Sequence, residues 1–306
     1  MQDFCFLITE EYENERLDKA LSDLTDDTVS RSYLQKLIKD SQIFVNDKPQ
    51  KASYKLKIDD SVFFSIPDQV EPNIIPEKMD LDILYEDDDV IVVNKPKDMV
   101  VHPAAGHFEH TLVNGLLYHC KDSLSGINGV LRPGIVHRID KDTTGSIIAC
   151  KNDFSHKAIA EQLKNHTITR KYRAICFGVI KEDTGVIDAP IGRDEKDRKK
   201  MSINYKNGKN AVTHYKVIER FTGYTYIECQ LETGRTHQIR VHMSSIGHPL
   251  MGDNVYSSVK WPYNLQGQTL HAHILGFKHP KTDTYIETEA PLPEYFTTLL
   301  EKLRKK

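Results

Sequence analysis

The chain has 306 residues, enough for two domains, one with a substantial core. Hydrophobic residues make up 39% and charged residues 28%, a globular balance with no apolar run near membrane-spanning length, which argues against a helical membrane protein. The net charge of −3 excludes a surface uniformly coated with cations, although residues 1–80 carry 10 Lys+Arg against 17 Asp+Glu, leaving 31 against 27 in the remainder, so any affinity for nucleic acid must come from local patches.

No basic-then-apolar leader opens the chain, so no export is expected. Arg16-Leu17-Asp18-Lys19-Ala20-Leu21 predicts a short helix. Ser30 suits the N-cap of a second, whose Leu34, Leu37 and Ile38 form an apolar stripe at helical spacing. Strand-like Ile43-Phe44-Val45 leads to a turn at Asn46-Asp47-Lys48-Pro49, and a second turn at Asp59-Asp60 precedes strand-like Val62-Phe63-Phe64. Pro67, Pro72 and Pro76 then punctuate a polar stretch that reads as a linker over 69–80. The expected domains are therefore 13–68 and 81–306.

Beyond the linker, β-rich runs at 90–93, 134–139, 146–150, 172–179, 211–217 and 225–231 alternate with helical segments near 111–119 and 155–164. The stretch 193–209 holds seven Lys/Arg against three Asp/Glu and reads as a mobile arm able to grip phosphates, with a plain surface loop as the competing reading. Thr236 is a plausible cap for a helix with Ile239, Met243 and Ile246 on one face, stopped by Gly247 and Pro249. Residues 293–303 read as a closing amphipathic helix. Irregular strand spacing without a βαβ repeat predicts an α+β fold, a mixed, largely antiparallel sheet flanked by helices.

Five cysteines (Cys5, Cys120, Cys150, Cys176 and Cys229) lie far apart with no Cys-x-x-Cys, predicting reduced thiols, a cytoplasmic protein and no zinc site. The histidines (His102, His107 and His110; His237 and His242; His271 and His273) form no recognised ligand spacing, so no metal is expected.

Three motifs carry the chemistry. Residues 134–145 read Gly-Ile-Val-His-Arg-Ile-Asp-Lys-Asp-Thr-Thr-Gly, presenting Asp140 on a short polar connection between apolar runs. Lys95-Pro96 lies upstream, and Gly-Arg-Thr-His-Gln-Ile-Arg-Val-His at 234–242 lies downstream. In order and spacing these motifs resemble the RluA family of pseudouridine synthases, over almost the whole chain. That resemblance implies breakage of the N1–C1′ bond of a uridine in RNA, rotation of the uracil and rejoining through C5. Neither electrons nor phosphate are exchanged, so no cofactor is implied, only a nucleophile and a closed pocket.

The resemblance makes Asp140 the nucleophile and Arg240 its ion-pair partner, where otherwise a turn-capping Asp and a surface Arg would be the readings. Asp142 is expected only to anchor the loop. Tyr172 matches the family's active-site tyrosine, which stacks on the uracil. Arg138 resembles the residue that holds the nucleotide flipped out, an extrusion costing a few kcal/mol. His137, Lys95 and Arg235 are taken as further substrate-side residues, Lys95-Pro96 chiefly shaping the site. Lys97-Asp98 stands where the family often has a glycine turn.

The first domain is similar to the S4 RNA-binding domain, with Arg31, Lys36, Lys39, Lys48 and Lys51 as candidate phosphate contacts. Ser41 and Asp47 depart from its usual glycines, and Gln42 replaces a basic residue. Within the family, residues 100–106 and 137–145 look most like the RluD subgroup, implying 23S ribosomal RNA (the helix 69 stem-loop) or a large-subunit assembly intermediate as partner, no membrane, and a monomeric enzyme. The rival readings are a synthase acting on another rRNA or tRNA site, a non-catalytic RNA-binding assembly factor, and a hydrolytic glycosidase using Asp140 and Asp142. The last fits poorly, because such carboxylates must flank one scissile bond.

Overall fold

The computed structural model falls into two units, Met1–Glu71 and Pro72–Lys306. It describes residues 2–25, 29–66, 74–104, 107–121, 123–129, 132–197 and 200–305. The first unit pairs helices α1 (Leu17–Leu24) and α2 (Arg31–Lys39) with an antiparallel sheet of β1 (Gln2–Leu7), β2 (Ile43–Val45), β3 (Lys48–Pro49) and β4 (Ser61–Ile66), in the order β1-β4-β2-β3. Leu17, Leu21, Leu34, Leu37, Ile43 and Phe64 meet in its core. Ser30 Oγ accepts the Tyr33 N–H at 3.4 Å, the cap expected of α2. Asn46 and Asp47, at φ 49° and 61°, form the two-residue turn that a right-twisted hairpin favours. Ser41, at φ 57°, takes the left-handed geometry without the glycine usual there.

The second unit holds a sheet in the order β5 (Ile83–Glu86), β6 (Val90–Lys95), β7 (Thr144–Cys150), β14 (Leu270–Lys278), β8 (Thr169–Phe177), β13 (Tyr224–Leu231), β12 (Val212–Phe221), β9 (Thr184–Asp188), with β15 (Tyr285–Glu289) on β14. A small hairpin of β10 (Ile191–Arg193) and β11 (Met201–Ile203) stands apart. Every pairing in the large sheet is antiparallel except β7 with β14. The mixed, largely antiparallel sheet is as expected from the strand pattern.

Alternation decides which helix covers which face. From β6, Ile91 and Val93 pack with α3 (Leu112–Cys120), while Val90 and Val92 pack with Ile159 of α4 (Asp153–Lys164). Being covered on both sides explains why 90–93 is an uninterrupted apolar run. α6 (Glu294–Arg304) closes the far end through Phe296, Leu299, Leu300 and Leu303. Gly145 permits the β7–β14 contact: its φ is 107°, and a Cβ there would lie 2.2 Å from Ala272 O.

Two expectations change. Residues 134–139 do not form a strand; only Ile135 bridges to Ala149, because β6 fills one flank of β7 and β14 begins on the other. Ile135 and Ile139 are buried, so the apolar run anchors a loop. Of the stretch read as a linker, 67–73 (with Pro67 and Pro72) lies outside the described residues. Residues 74–80 are bound to the second unit, where Asn114 Nδ2 donates to Ile75 O at 2.9 Å. Ala105 and Gly106 of the 100–106 motif, and Arg198 and Lys199 of the basic stretch, also lie outside the described residues.

Candidate active site

The loop carrying Asp140 is pinned on both sides. His137 Nε2 accepts the Ile148 N–H at 3.1 Å, tying the loop's start to β7. After Asp140, Lys95 Nζ donates to Lys141 O at 3.0 Å, and Gln268 Nε2 donates to Thr143 Oγ1 at 3.0 Å. Lys95 is completely buried and also donates to Pro96 O and Met99 O, both at 2.8 Å. Its ammonium is thus spent on three carbonyls; burial lowers its pKa to about 7. Asp98 keeps the left-handed turn at φ 66° and pairs with Lys141 at 2.8 Å.

The partner of Asp140 comes from α5 (Gln238–Ser245). Its N-cap is His237 and not Thr236, and His237 is itself left-handed at φ 57°. The side chain of Gln238 makes the turn instead: Oε1 accepts from Thr233 Oγ1 and Arg235 N–H, and Nε2 donates to Val212 O and Thr213 Oγ1. Ile239 and Met243 face the core, but Ile246 is exposed, at the C-cap beyond the helix. Arg240 projects into the site with only 7% of its side chain exposed.

Arg240 holds two carboxylates. Nη1 donates to Asp140 Oδ2 at 2.9 Å; Nε and Nη2 donate to Asp253 Oδ2 and Oδ1 at 2.6 and 3.0 Å. Burial disfavours the guanidinium charge, but the two carboxylates more than restore it and raise its pKa. Asp253 is buried and also accepts the N–H groups of Val255 and Tyr256. The ring of Tyr256 lies 5.0 Å from the guanidinium carbon.

These groups open onto a cleft of about 520 Å³, lined by Asp140, Tyr172 and Arg240, and also by His137, Arg138 and Arg235. Six of the residues proposed from sequence therefore converge. Lys95 does not line it and acts behind it as a brace for the loop. Arg31 and Lys36 belong to the other unit. Lys36 is exposed on α2, whereas Arg31 is ion-paired to the buried Asp18 at 2.9 Å. Tyr172 sits on the face of β8 that meets Ile239 and Met243, and burial raises the pKa of its phenol.

Sequence reasoning missed Asp253, Tyr256, Lys164 and Arg170. Arg170 and Lys164 also line the cleft, so among the described residues its wall carries five cations (Arg138, Lys164, Arg170, Arg235, Arg240) against the single carboxylate of Asp140. A chain that is acidic overall thus has a cationic pocket suited to a phosphodiester.

Elsewhere, Asp87, Asp89 and His279 gather their ligand-type atoms within 4.8 Å. His279 Nδ1 accepts the N–H groups of Lys281 and Thr282, which puts the ring proton on Nε2, where it is donated to Asp87 at 2.8 Å. The cluster is satisfied as a hydrogen-bonded brace.

The model of the RNA pseudouridylate synthase family matches residues 89–245, the span that runs from β6 through Asp140 to α5. The chain belongs to that family. The synthase is 56% identical over 297 residues to the uncharacterized RNA pseudouridine synthase YlyB of Bacillus subtilis, covering 97% of each chain. It is 44% identical over 306 residues to the ribosomal large subunit pseudouridine synthase D of Zymomonas mobilis, covering 97% of this chain and 96% of that one. Among solved structures it is similar to human RNA pseudouridylate synthase domain containing 1, with TM-score 0.57, 25% identity, and 79% and 98% of the two chains covered. The corresponding human domain containing 4 gives TM-score 0.57 at 26% identity, over 72% and 92%. No helix of the described residues is long and apolar enough to cross a membrane.

Proposed function

We propose that this RNA pseudouridine synthase isomerises uridines of 23S ribosomal RNA, in the helix 69 stem-loop or in a large-subunit assembly intermediate, with Asp140 as nucleophile. The observation that carries the reading is the carboxylate of Asp140 at the cleft wall, one oxygen bonded to a buried guanidinium and the other free of it. Relatives named as ribosomal large subunit synthases support the target.

In this reading Arg240 pairs with Asp140 Oδ2 and aims the carboxylate, while Oδ1 is free to bond to C1′ of the nucleoside. The N1–C1′ bond breaks with its electron pair left on the uracil. The base turns within the pocket, C5 bonds to C1′ as Asp140 Oδ1 gives up its bond there, and the C5 proton passes to solvent while N1 takes one up. Tyr172 stacks on the base, and its phenol, kept neutral by burial, relays that proton, taking it on oxygen while giving up its own to solvent. Arg138, exposed at the cleft mouth, occupies the gap left by the flipped nucleotide. His137 is occupied by Ile148 and serves the loop's shape. Arg235 and Arg170 meet phosphates.

The first unit acts as an S4-like RNA-binding domain over 13–68. Lys39 and Lys51 line a depression on its surface, and Lys36 lies exposed on the same helix. Arg31 contributes through the guanidinium edge that Asp18 leaves free. The enzyme works as a cytoplasmic monomer, a location in keeping with five free thiols.

The test is pseudouridine mapping across all RNA in a strain lacking the gene, complemented by wild type or Asp140→Asn. Sites in 23S rRNA should vanish on deletion and return only with wild type, while Asp140→Asn still binds rRNA. Restoration by Asp140→Asn would refute the nucleophile, and lost sites confined to tRNA would refute the target.

A further inference from the structure

His237 opens α5 with a left-handed backbone. Its φ of 57° and ψ of 21° are left-handed, a conformation that glycine and asparagine adopt more readily. Here the ring lines the cleft, with Nε2 3.8 Å from Asp140 Oδ1 and Nδ1 2.7 Å from Tyr256 Oη.

Tyr256 is the hydrogen-bond partner of the ring's Nδ1. Its Oη accepts the Met201 N–H at 2.9 Å, and among the described residues His237 Nδ1 is the one acceptor within reach of its own proton. With the phenol proton assigned to Nδ1, the imidazole N–H falls on Nε2, facing Asp140 and the open cleft. Tyr256 is itself held, edge-on to the imidazole and through its backbone N–H to Asp253. Burial, aided by Arg240 and Arg138 and opposed by Asp140 and Asp253, keeps the imidazole neutral.

We propose that His237 contacts the substrate, its Nε2–H donating a hydrogen bond to O2 or O4 of the uracil as the base leaves C1′. This rests on Asp140 being the nucleophile. When N1–C1′ breaks, the electron pair remaining on the ring spreads over both carbonyl oxygens. The detached base must be held in place while it turns. A neutral N–H meets that charge without surrendering its proton. Arg240 is poorly placed for the task, because its Nε, Nη1 and Nη2 are committed to Asp253 and Asp140.

The assay is tritium release from rRNA of a deletion strain labelled at uridine C5, using the full chain. An inactive wild type on this RNA defeats the reading of function; the inference is tested by the variants. His237→Leu removes the donor, whereas His237→Gln carries an amide N–H at nearly the same reach. Loss of a preorganised donor predicts a kcat about 10²-fold lower in His237→Leu with KM changed less than about threefold. His237→Gln should retain turnover within about tenfold of wild type. Equal losses in both variants, or His237→Leu within threefold of wild type, would overturn the proposal. Independently of any variant's folding, long-range ¹H–¹⁵N spectra of wild type should show His237 protonated at Nε2; an Nδ1–H tautomer would end the argument.

Discussion

Arg240→Met tests the ion-pair cluster most directly. The side chain keeps its length and loses its charge, leaving two carboxylates where one guanidinium had held both. Asp253 would retain only the N–H groups of Val255 and Tyr256, at 3.0 and 3.2 Å, inside a site where its own side chain has no exposure. Removing one partner of a buried pair costs about 3–5 kcal/mol, mostly from the charge left behind. For a unit the size of residues 72–306, that is a fall in Tm of roughly 6–20 °C.

The second arm of the experiment separates charge from packing. Arg240→Met with Asp253→Leu removes both members of the buried pair, and apolar replacement of a whole pair is often neutral or stabilising by about 1–4 kcal/mol. The double variant should therefore be more stable than Arg240→Met alone, though equally inactive. Urea unfolding followed by tryptophan fluorescence suits the question, since the single tryptophan, Trp261, lies in this unit and packs near Phe177 and Met251. A loss below about 1 kcal/mol in Arg240→Met, or no recovery in the double variant, would refute the electrostatic account.

Other outcomes follow from neighbouring features. Gly145→Ala should abolish folding of the catalytic unit, because the added methyl would meet the Ala272 backbone at 2.2 Å and the residue would carry φ 107°; a soluble, active variant would contradict this. Burial depresses the pKa of His137 to about 3 and of His102 and His271 to about 4, from the usual 6.5. Each stays neutral in the folded chain while the unfolded chain takes up a proton, so stability is complete above about pH 6.5 and declines as pH falls towards 4. Tm measured at pH 7 and pH 5 should show the decline, and a flat profile would refute it. Arg235→Ala and Lys164→Ala should weaken rRNA binding and each reduce the salt slope, log Kd against log salt, by about 0.7–0.9; an unchanged slope would mean that these cations do not meet phosphates.

Much of this site was legible from residues alone, for local reasons. Ser30 caps α2 because a hydroxyl before an amphipathic stripe has few better uses. The motif around Asp140 and the one around Arg240 keep their spacing because loop and helix geometry fix where each side chain emerges. What escaped was non-local. Asp253 lies in Met-Gly-Asp-Asn, which reads as a turn, and nothing in that tetrapeptide reveals a guanidinium brought from another element. β14 escaped because its run of buried residues has no alternation; it is covered on both faces, and burial on both faces erases the period of two. The same ambiguity made 134–139 look like a strand when its isoleucines only anchor a loop. Thr236 was a reasonable cap by residue type, but Gln238 satisfies the turn from within the helix.

The place of β14 in the sheet has a consequence for biosynthesis. Strands β5, β6 and β7 form one side and β8, β13, β12 and β9 the other, and β14 is the element hydrogen-bonded to both. Asp140 leads into the first side, and Arg240 follows the second. A nascent polypeptide can thus assemble each flank as it emerges, but the two halves of the ion pair have no fixed registry until residues 270–278 clear the exit tunnel. A chain halted before that point would hold every residue of both motifs without the strand that joins the two flanks.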